Sequence, residues 1–197
     1  RKIHKKKTPL IGGLILTINF LLFFILINFE YFRHQFIDYL FINFEDIKFY
    51  IIFAIPIFLI GLYDDKFDLN PNLKLFLLSL IILLFIYFDK SSLIVDLKFS
   101  FFEKTIHVGK FSYLFTVLCY LLFVNACNMF DGINLQSSSY FLIFILFISI
   151  VGQPSLFTLI LISSLLSFIV LNVKGKAFMG DSGVYLYSFT LGFIAIK

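Results

Sequence analysis

Two carboxylates stand side by side at Asp64 and Asp65, in the stretch GLYDDKFDLNPNLK (61–74). Adjacent carboxylates repel each other and are costly to hold near hydrocarbon, so a cation beside them relieves both penalties. Asp68, Asn70 and Pro71 then supply turn chemistry, and Lys74 opens the next apolar run. A second stretch, NACNMFDGIN (125–134), sets Asn125 and Asn128 three residues apart on one helical face, with Asp131 next on that stripe if the helix persists. Such a stripe can bind a polar ligand, and Gly132 permits a chain reversal or a close backbone approach. A third stretch, KGKAFMGDSGVYL (174–186), carries Gly180, Asp181, Ser182 and Gly183 just before an apolar run. Glycines ahead of a helix N-terminus suit phosphate approach, and Asp181 is placed to hold a divalent metal that bridges phosphates. A fourth, RKIHKKKTPLIGG (1–13), leads from a basic cluster through Thr-Pro to a glycine pair. Taken singly, each has an ordinary reading: a solvated acidic turn, a frayed helix end, an N-cap, a basic membrane anchor.

The elements that must position these stretches are membrane spans. Of the 197 residues, 60% are hydrophobic and 14% charged, with a mean hydropathy of +1.00. Soluble domains are about 45–50% apolar. The expected fold class is therefore all-α, a polytopic integral membrane protein. Apolar runs fall at Leu10–Phe29, Ile47–Tyr63, Leu73–Phe88, Phe111–Phe130, Ser138–Val151, Ser155–Leu171 and from Val184 onward. That predicts about seven transmembrane helices, given the ~17–25 residues a crossing needs. Ser163 and Ser167, four apart, are expected to share a face for close helix packing. The chain starts at Arg1 rather than Met and stops within an apolar run, so it reads as a single transmembrane domain over 1–197, incomplete at both ends. Cys119 and Cys127, in or beside one helix, read as small apolar residues.

Counting spans places the chemistry. The polar segments Arg1–Pro9, Asp64–Asn72, Asn128–Ser137 and Asn172–Gly183 are each separated from the next by two spans. Two crossings return the chain to the same side, so all four share one membrane face. Nine basic residues lie in or beside these segments against six in the opposite loops, which favours a cytoplasmic position for the shared face. Carboxylates alone would repel a phosphate, whereas carboxylates with Mg²⁺ and Lys bind one. An anionic substrate bridged by metal at the cytoplasmic membrane surface follows. The net charge of +4 fits membrane anchoring, and no soluble basic surface exists to bind nucleic acid. A transporter would carry ionisable residues in mid-span, where this chain is almost purely apolar.

GLYDDKFDLNPNLK, NACNMFDGIN and FMGDSG, in this order and separated by helices, resemble the polyprenyl-phosphate N-acetylhexosamine-1-phosphate transferases, the WecA/MraY-like glycosyltransferase family 4. The resemblance covers essentially the whole chain. It implies an active site formed by cytoplasmic loops of the inner (plasma) membrane. There the phosphate of a polyprenyl phosphate attacks the β-phosphorus of a UDP-N-acetylhexosamine, UMP leaves, and a lipid-diphosphate-sugar forms. The implied cofactor is Mg²⁺, with Mn²⁺ as a substitute; the bilayer is the solvent, and a homodimer is compatible. Carried over by position, Asp181 resembles the metal ligand. Asp64 and Asp65 resemble the pair that orients or deprotonates the lipid phosphate, and Asp131 a catalytic or nucleotide-site residue. Lys74, Asn128, Asn172 and Phe178 resemble substrate-binding residues, with the Phe178 ring stacking on uracil. Where the family commonly reads DGxDG, Asn134 and Leu135 replace the second Asp and Gly, so Asn134 keeps hydrogen bonding without charge. RKIHKKKTPLIGG looks closer to the WecA-like branch than to the muramyl-pentapeptide branch. This points to UDP-GlcNAc or a related sugar for O-antigen, teichoic-acid-type or other envelope glycans. The competing expectation is a non-catalytic membrane scaffold or lipid-phosphate-binding protein derived from the family.

Overall fold

Helices form where the apolar runs lie. The computed structural model describes residues 9–29, 44–99, 101–152 and 155–197; the basic cluster at 1–7 and the turn at Pro154 lie outside the described residues. Seven helices are present among them: α1 Gly12–Asn28, α2 Phe44–Phe67, α3 Pro71–Phe88, α4 Ser112–Phe130, α5 Gln136–Gly152, α6 Leu156–Val173 and α7 Gly180–Ile196. Stretches Asp46–Phe67, Pro71–Phe88, Gly109–Phe130 and Leu156–Val173 are long and apolar enough to cross a bilayer. The molecule is an all-α polytopic membrane protein. Local signals set the helix ends. Asn70 caps α3 by accepting the Asn72 N–H at 3.0 Å, with Pro71 in the first turn, and Ser155 with Thr158 forms a reciprocal cap on α6.

Helix α7 is the centre of the bundle, in contact with α1, α2, α4 and α5. Nearly all of its side chains from Ser182 to Ile194 are buried. In lipid, helices associate through packing and hydrogen bonds rather than hydrophobic burial, and α7 supplies both. Its hydroxyls turn inward: Tyr50 on α2 shares a 2.5 Å hydrogen bond with Thr190, and the Tyr187 hydroxyl donates to Ser164 on α6 at 3.2 Å. Tyr50 stacks on Phe189 and Phe193 of α7, and Phe85 meets Phe189 edge-on. At its N-terminal end the neighbouring backbones come very close. A Cβ on Gly61 of α2 would lie 2.3 Å from the Ser182 Cα, and one on Gly13 of α1 would lie 2.8 Å from the Gly183 nitrogen. The large apolar side chains left exposed, such as Ile18, Leu22, Phe76, Leu83, Leu118, Ile143 and Leu166, form a lipid-facing surface.

Two expectations are corrected, and one element is new. Ser163 and Ser167 face outward with their hydroxyls bonded to the carbonyls of Ile160 and Ser163, and the small residue buried between helices is Ser164. A β-hairpin, β1 Asp96–Phe99 and β2 Phe102–His107, joins α3 to α4, with Asp96 opposite His107 and a bulge between Leu97 and Phe99. Helix α7 starts at Gly180, so Asp181 lies inside its first turn rather than in a loop before it.

The far end of the bundle is pinned by charge. Lys197 lies 2.8 Å from Asp46 and 3.1 Å from Asp89, whose carboxylate also accepts the Ser92 hydroxyl at 2.8 Å. That cluster is roughly 25 Å from Asp181 along α7, one turn of 3.6 residues rising 5.4 Å.

Candidate active site

The site forms around the N-terminus of α7. Backbone N–H groups at a helix start have no partner within the helix, and here a carboxylate from another helix takes them. The Asp181 N–H donates to Asp65 Oδ1 at 2.7 Å and the Ser182 N–H to Asp65 Oδ2 at 3.1 Å. Asp65 therefore caps α7 from α2, and the positive end of the helix dipole compensates its charge. Gly180 makes room for this. Its φ is +72°, a left-handed value that favours glycine, and a Cβ there would meet Asp65 Oδ2 at 2.8 Å. The expectation that these N–H groups await a phosphate is corrected, because Asp65 occupies them.

Asp64, one residue earlier, is nearly fully buried and points to the other side of the same junction. Its Oδ1 accepts the Leu69 N–H at 2.9 Å; its Oδ2 pairs closely with Lys74 and accepts the Tyr185 hydroxyl at 3.1 Å. Lys74 Nζ also lies 3.7 Å from Asp181 Oδ2. Asn128 joins from α4, its Nδ2 donating to the Tyr185 oxygen at 3.3 Å. The structure thus brings Asp64, Asp65, Lys74, Asn128 and Asp181 together from four helices. Sequence reasoning missed Tyr185. The signal was available: Tyr185 follows Asp181 by four residues, which stacks the two on one face of α7.

Beside this cluster a cavity of ≈190 Å³ opens, lined by Asp131, Asn172, Phe178 and Gly180 among others. The loop carrying Phe178 is held as a short parallel bridge to the segment before α1: the Phe178 N–H donates to the Pro9 carbonyl at 3.1 Å, and the Ile11 N–H to the Phe178 carbonyl at 3.2 Å. Asp131 sits just past the end of α4, which stops at Phe130, and accepts the Ser137 hydroxyl at 2.5 Å. Burial pushes its carboxyl above the ordinary range; the Ser137 hydrogen bond opposes this and the charge of Asp65 adds to it. Asn172 is buried with both ends of its amide bonded, accepting the Leu135 N–H and donating to the Ala177 carbonyl, each at 2.7 Å. It ties the cavity walls together. Asn134 lies outside the cavity lining, and its buried Oδ1 has no hydrogen-bond partner.

Six of the nine expected site residues (Asp64, Asp65, Lys74, Asn128, Asn172, Asp181) stand on helices, and Asp131, Asn134 and Phe178 on connecting segments. The site is thus built chiefly on terminal helical turns rather than on loops, which gives it rigid supports.

The donor set fits a hard divalent cation. Asp65 is engaged by the helix N-terminus, which leaves Asp64 and Asp181 converging on the single ammonium of Lys74. Two carboxylates against one ammonium leave a net negative charge. Among the described residues no three His, Cys, Asp or Glu side chains form a ready cage. Mg²⁺ is commonly held by one or two carboxylates, with substrate phosphates and waters completing its shell.

The model of the family described as glycosyl transferase family 4 matches residues 47–197. The phospho-N-acetylmuramoyl-pentapeptide-transferase of Clostridium botulinum (strain Eklund 17B / Type B) is 30% identical over 191 residues, covering 92% of this chain and 58% of its own length. The undecaprenyl-phosphate alpha-N-acetylglucosaminyl 1-phosphate transferase of Thermotoga maritima is 29% identical over 187 residues, covering 94% of this chain and 50% of its own. The Escherichia coli (strain K12) protein of the same name is 28% identical over 210 residues, covering 100% and 53%. The chain spans about half the length of the curated relatives it matches. Their near-equal identities do not separate the two branches.

Proposed function

Since the chain belongs to glycosyl transferase family 4, we propose that the protein it represents transfers N-acetylhexosamine-1-phosphate, with GlcNAc as the sugar, from a UDP-sugar to polyprenyl phosphate. A non-bridging oxygen of the lipid phosphate attacks the β-phosphorus, the bond to the bridging oxygen of the diphosphate breaks, and UMP leaves. Two polyanions must meet in line, so catalysis consists largely of positioning and charge compensation. The observation that carries this reading is the convergence of Asp64, Asp181 and Lys74 beside a cavity lined by Asp131 and Phe178, at one end of a membrane helix bundle.

Lys74 presents an ammonium to the transferred phosphate, and Asp64 fixes its direction. Asp181 holds the metal, and Asp65 holds the helix turn that carries Asp181. Mg²⁺, or Mn²⁺ in its place, supplies Lewis-acid neutralisation of the diphosphate when bound. The cavity receives the nucleoside-sugar part, with Phe178 stacking on the base, Asp131 and Asn128 as polar contacts, and Asn172 keeping its wall in place. The site faces the cytoplasm, where UDP-sugars are made, and the acceptor reaches it through the bilayer.

The sugar is tested directly. Membranes containing the full-length protein receive polyprenyl phosphate, Mg²⁺ and either labelled UDP-GlcNAc or labelled UDP-N-acetylmuramoyl-pentapeptide. Label enters the lipid phase from UDP-GlcNAc; preferential labelling from the muramoyl donor would move the chain to the other branch and leave the reaction class standing.

A further inference from the structure

Tyr185 is fully buried in the middle of the cluster, in contact with three of the residues singled out from the sequence, Asp64, Asn128 and Lys74. Its hydroxyl donates to Asp64 Oδ2 at 3.1 Å and accepts from Asn128 Nδ2 at 3.3 Å, so its one proton and one lone pair are both used. Its ring centroid lies 5.8 Å from Lys74 Nζ, within range of a cation–π contact. Tyr185 thus links α2, α3 and α4 from its own place on α7, one turn beyond Asp181.

The chemistry at Asp64 makes this link consequential. Asp64 receives three kinds of donor: a backbone N–H, an ammonium and a phenol. The first fixes Oδ1. Oδ2 is shared between Lys74 and Tyr185, so the phenol decides how far the carboxylate turns toward the ammonium. A hydrogen bond to an ionised acceptor is about twice as strong as a neutral one. The same hydroxyl orients the Asn128 amide, which donates to it from α4.

Resting on the functional reading above, we infer that Tyr185 is a positioning residue: its hydroxyl aligns Asp64, and through it Lys74, with Asn128 for phosphoryl transfer. Phenylalanine keeps the ring and its packing and removes only the hydroxyl, which makes Tyr185→Phe the informative variant.

Two measurements on the full-length protein test this. In steady-state transfer, Tyr185→Phe lowers kcat by at least about tenfold and leaves KM for the UDP-sugar within about threefold, the signature of an interaction needed mainly in the transition state. A packing role alone would leave kcat near wild type. In thermal unfolding, Tyr185→Phe lowers the melting temperature of the wild type more than it lowers that of Asp64→Asn, because the bond at stake is to a charged carboxylate. Equal shifts in the two backgrounds overturn the inference, as does an unchanged kcat in an active enzyme. A wild type that transfers nothing from any UDP-sugar overturns the functional reading instead, and the melting cycle still decides whether Tyr185 holds Asp64.

Discussion

Asp131, just past the end of α4, is a carboxylate whose surroundings oppose its charge, and that makes its substitution informative at the residue scale. Its carboxyl is raised first by burial and also by Asp65, with Ser137 opposing. A carboxyl raised in the folded state favours folding fully below its ordinary value, and that contribution is lost as pH rises through the folded value. Ionised Asp131 therefore destabilises the substrate-free protein at neutral and higher pH. Asp131→Asn is expected to raise the melting temperature at pH 8, to leave it unchanged near pH 4, and to reduce transfer. Melting curves at the two pH values check the sign. Lys74 gives a second test. Its ammonium lies against Asp181, assigned to the metal, and against Asp64 beside it, so it competes with a cation for that pair. Lys74→Met is expected to bind Mn²⁺ more tightly by electron paramagnetic resonance while transferring more slowly; weaker Mn²⁺ binding would contradict that competition. Asp64, Asp65, Asp131, Asp181 and Lys74 were visible as chemistry in the sequence because charge is rare in this chain. The division of labour between Asp64 and Asp65 was not visible. Adjacent residues on a helix point about 100° apart, and what each meets depends on where α7 packs.

At the scale of elements, the site depends on close backbone contact between α2 and α7. Gly61 allows that contact, and Asp65 lies one turn further along the same helix. The Cβ added by Gly61→Ala would fall 2.3 Å from the Ser182 Cα, an atom that moves only with the whole helix. Overpacking of this kind costs about 1–3 kcal/mol. Gly61→Ala is expected to lower the melting temperature and to reduce transfer further than the stability loss explains, since it draws Asp65 away from the N–H groups of Asp181 and Ser182. A variant with wild-type transfer rates would show that the cap does not set the geometry. The helices themselves were legible, because seven apolar runs of helical length leave few alternatives in a membrane. The hairpin was not, since its ten strand residues, eight polar or aromatic with Leu97 and Ile106 among them, carry too short an alternation to stand out. The outward turn of Ser163 and Ser167 was likewise hidden, because serine suits lipid-facing and packed positions alike once its hydroxyl bonds to its own helix.

At the scale of the whole molecule, α7 separates two polar ends. On the proposed orientation the end at Asp64, Lys74 and Asp181 faces the cytoplasm, and the end at Asp89, Lys197 and the hairpin faces the other side. In a background with Cys119 and Cys127 replaced by Ser, single cysteines at Lys90 and Lys104 are expected to react with a membrane-impermeant maleimide from outside intact cells. Cysteines at Asn70 and Lys174 are expected to react after permeabilisation only. Labelling of all four from one side would break the two-ended arrangement. Span counting made this arrangement legible from sequence, while the cavity beside Asp131 was not, since it depends on the bridge between Pro9–Ile11 and Phe178. The most direct test of the whole account is transfer by the full-length protein, with polyprenyl phosphate and labelled UDP-GlcNAc, with and without Mg²⁺, in wild type and Asp181→Asn. The account predicts Mg²⁺-dependent labelling of the lipid phase that Asp181→Asn abolishes. Folded wild-type protein that labels no lipid from any UDP-sugar, or Asp181→Asn that transfers as well as wild type, would contradict it.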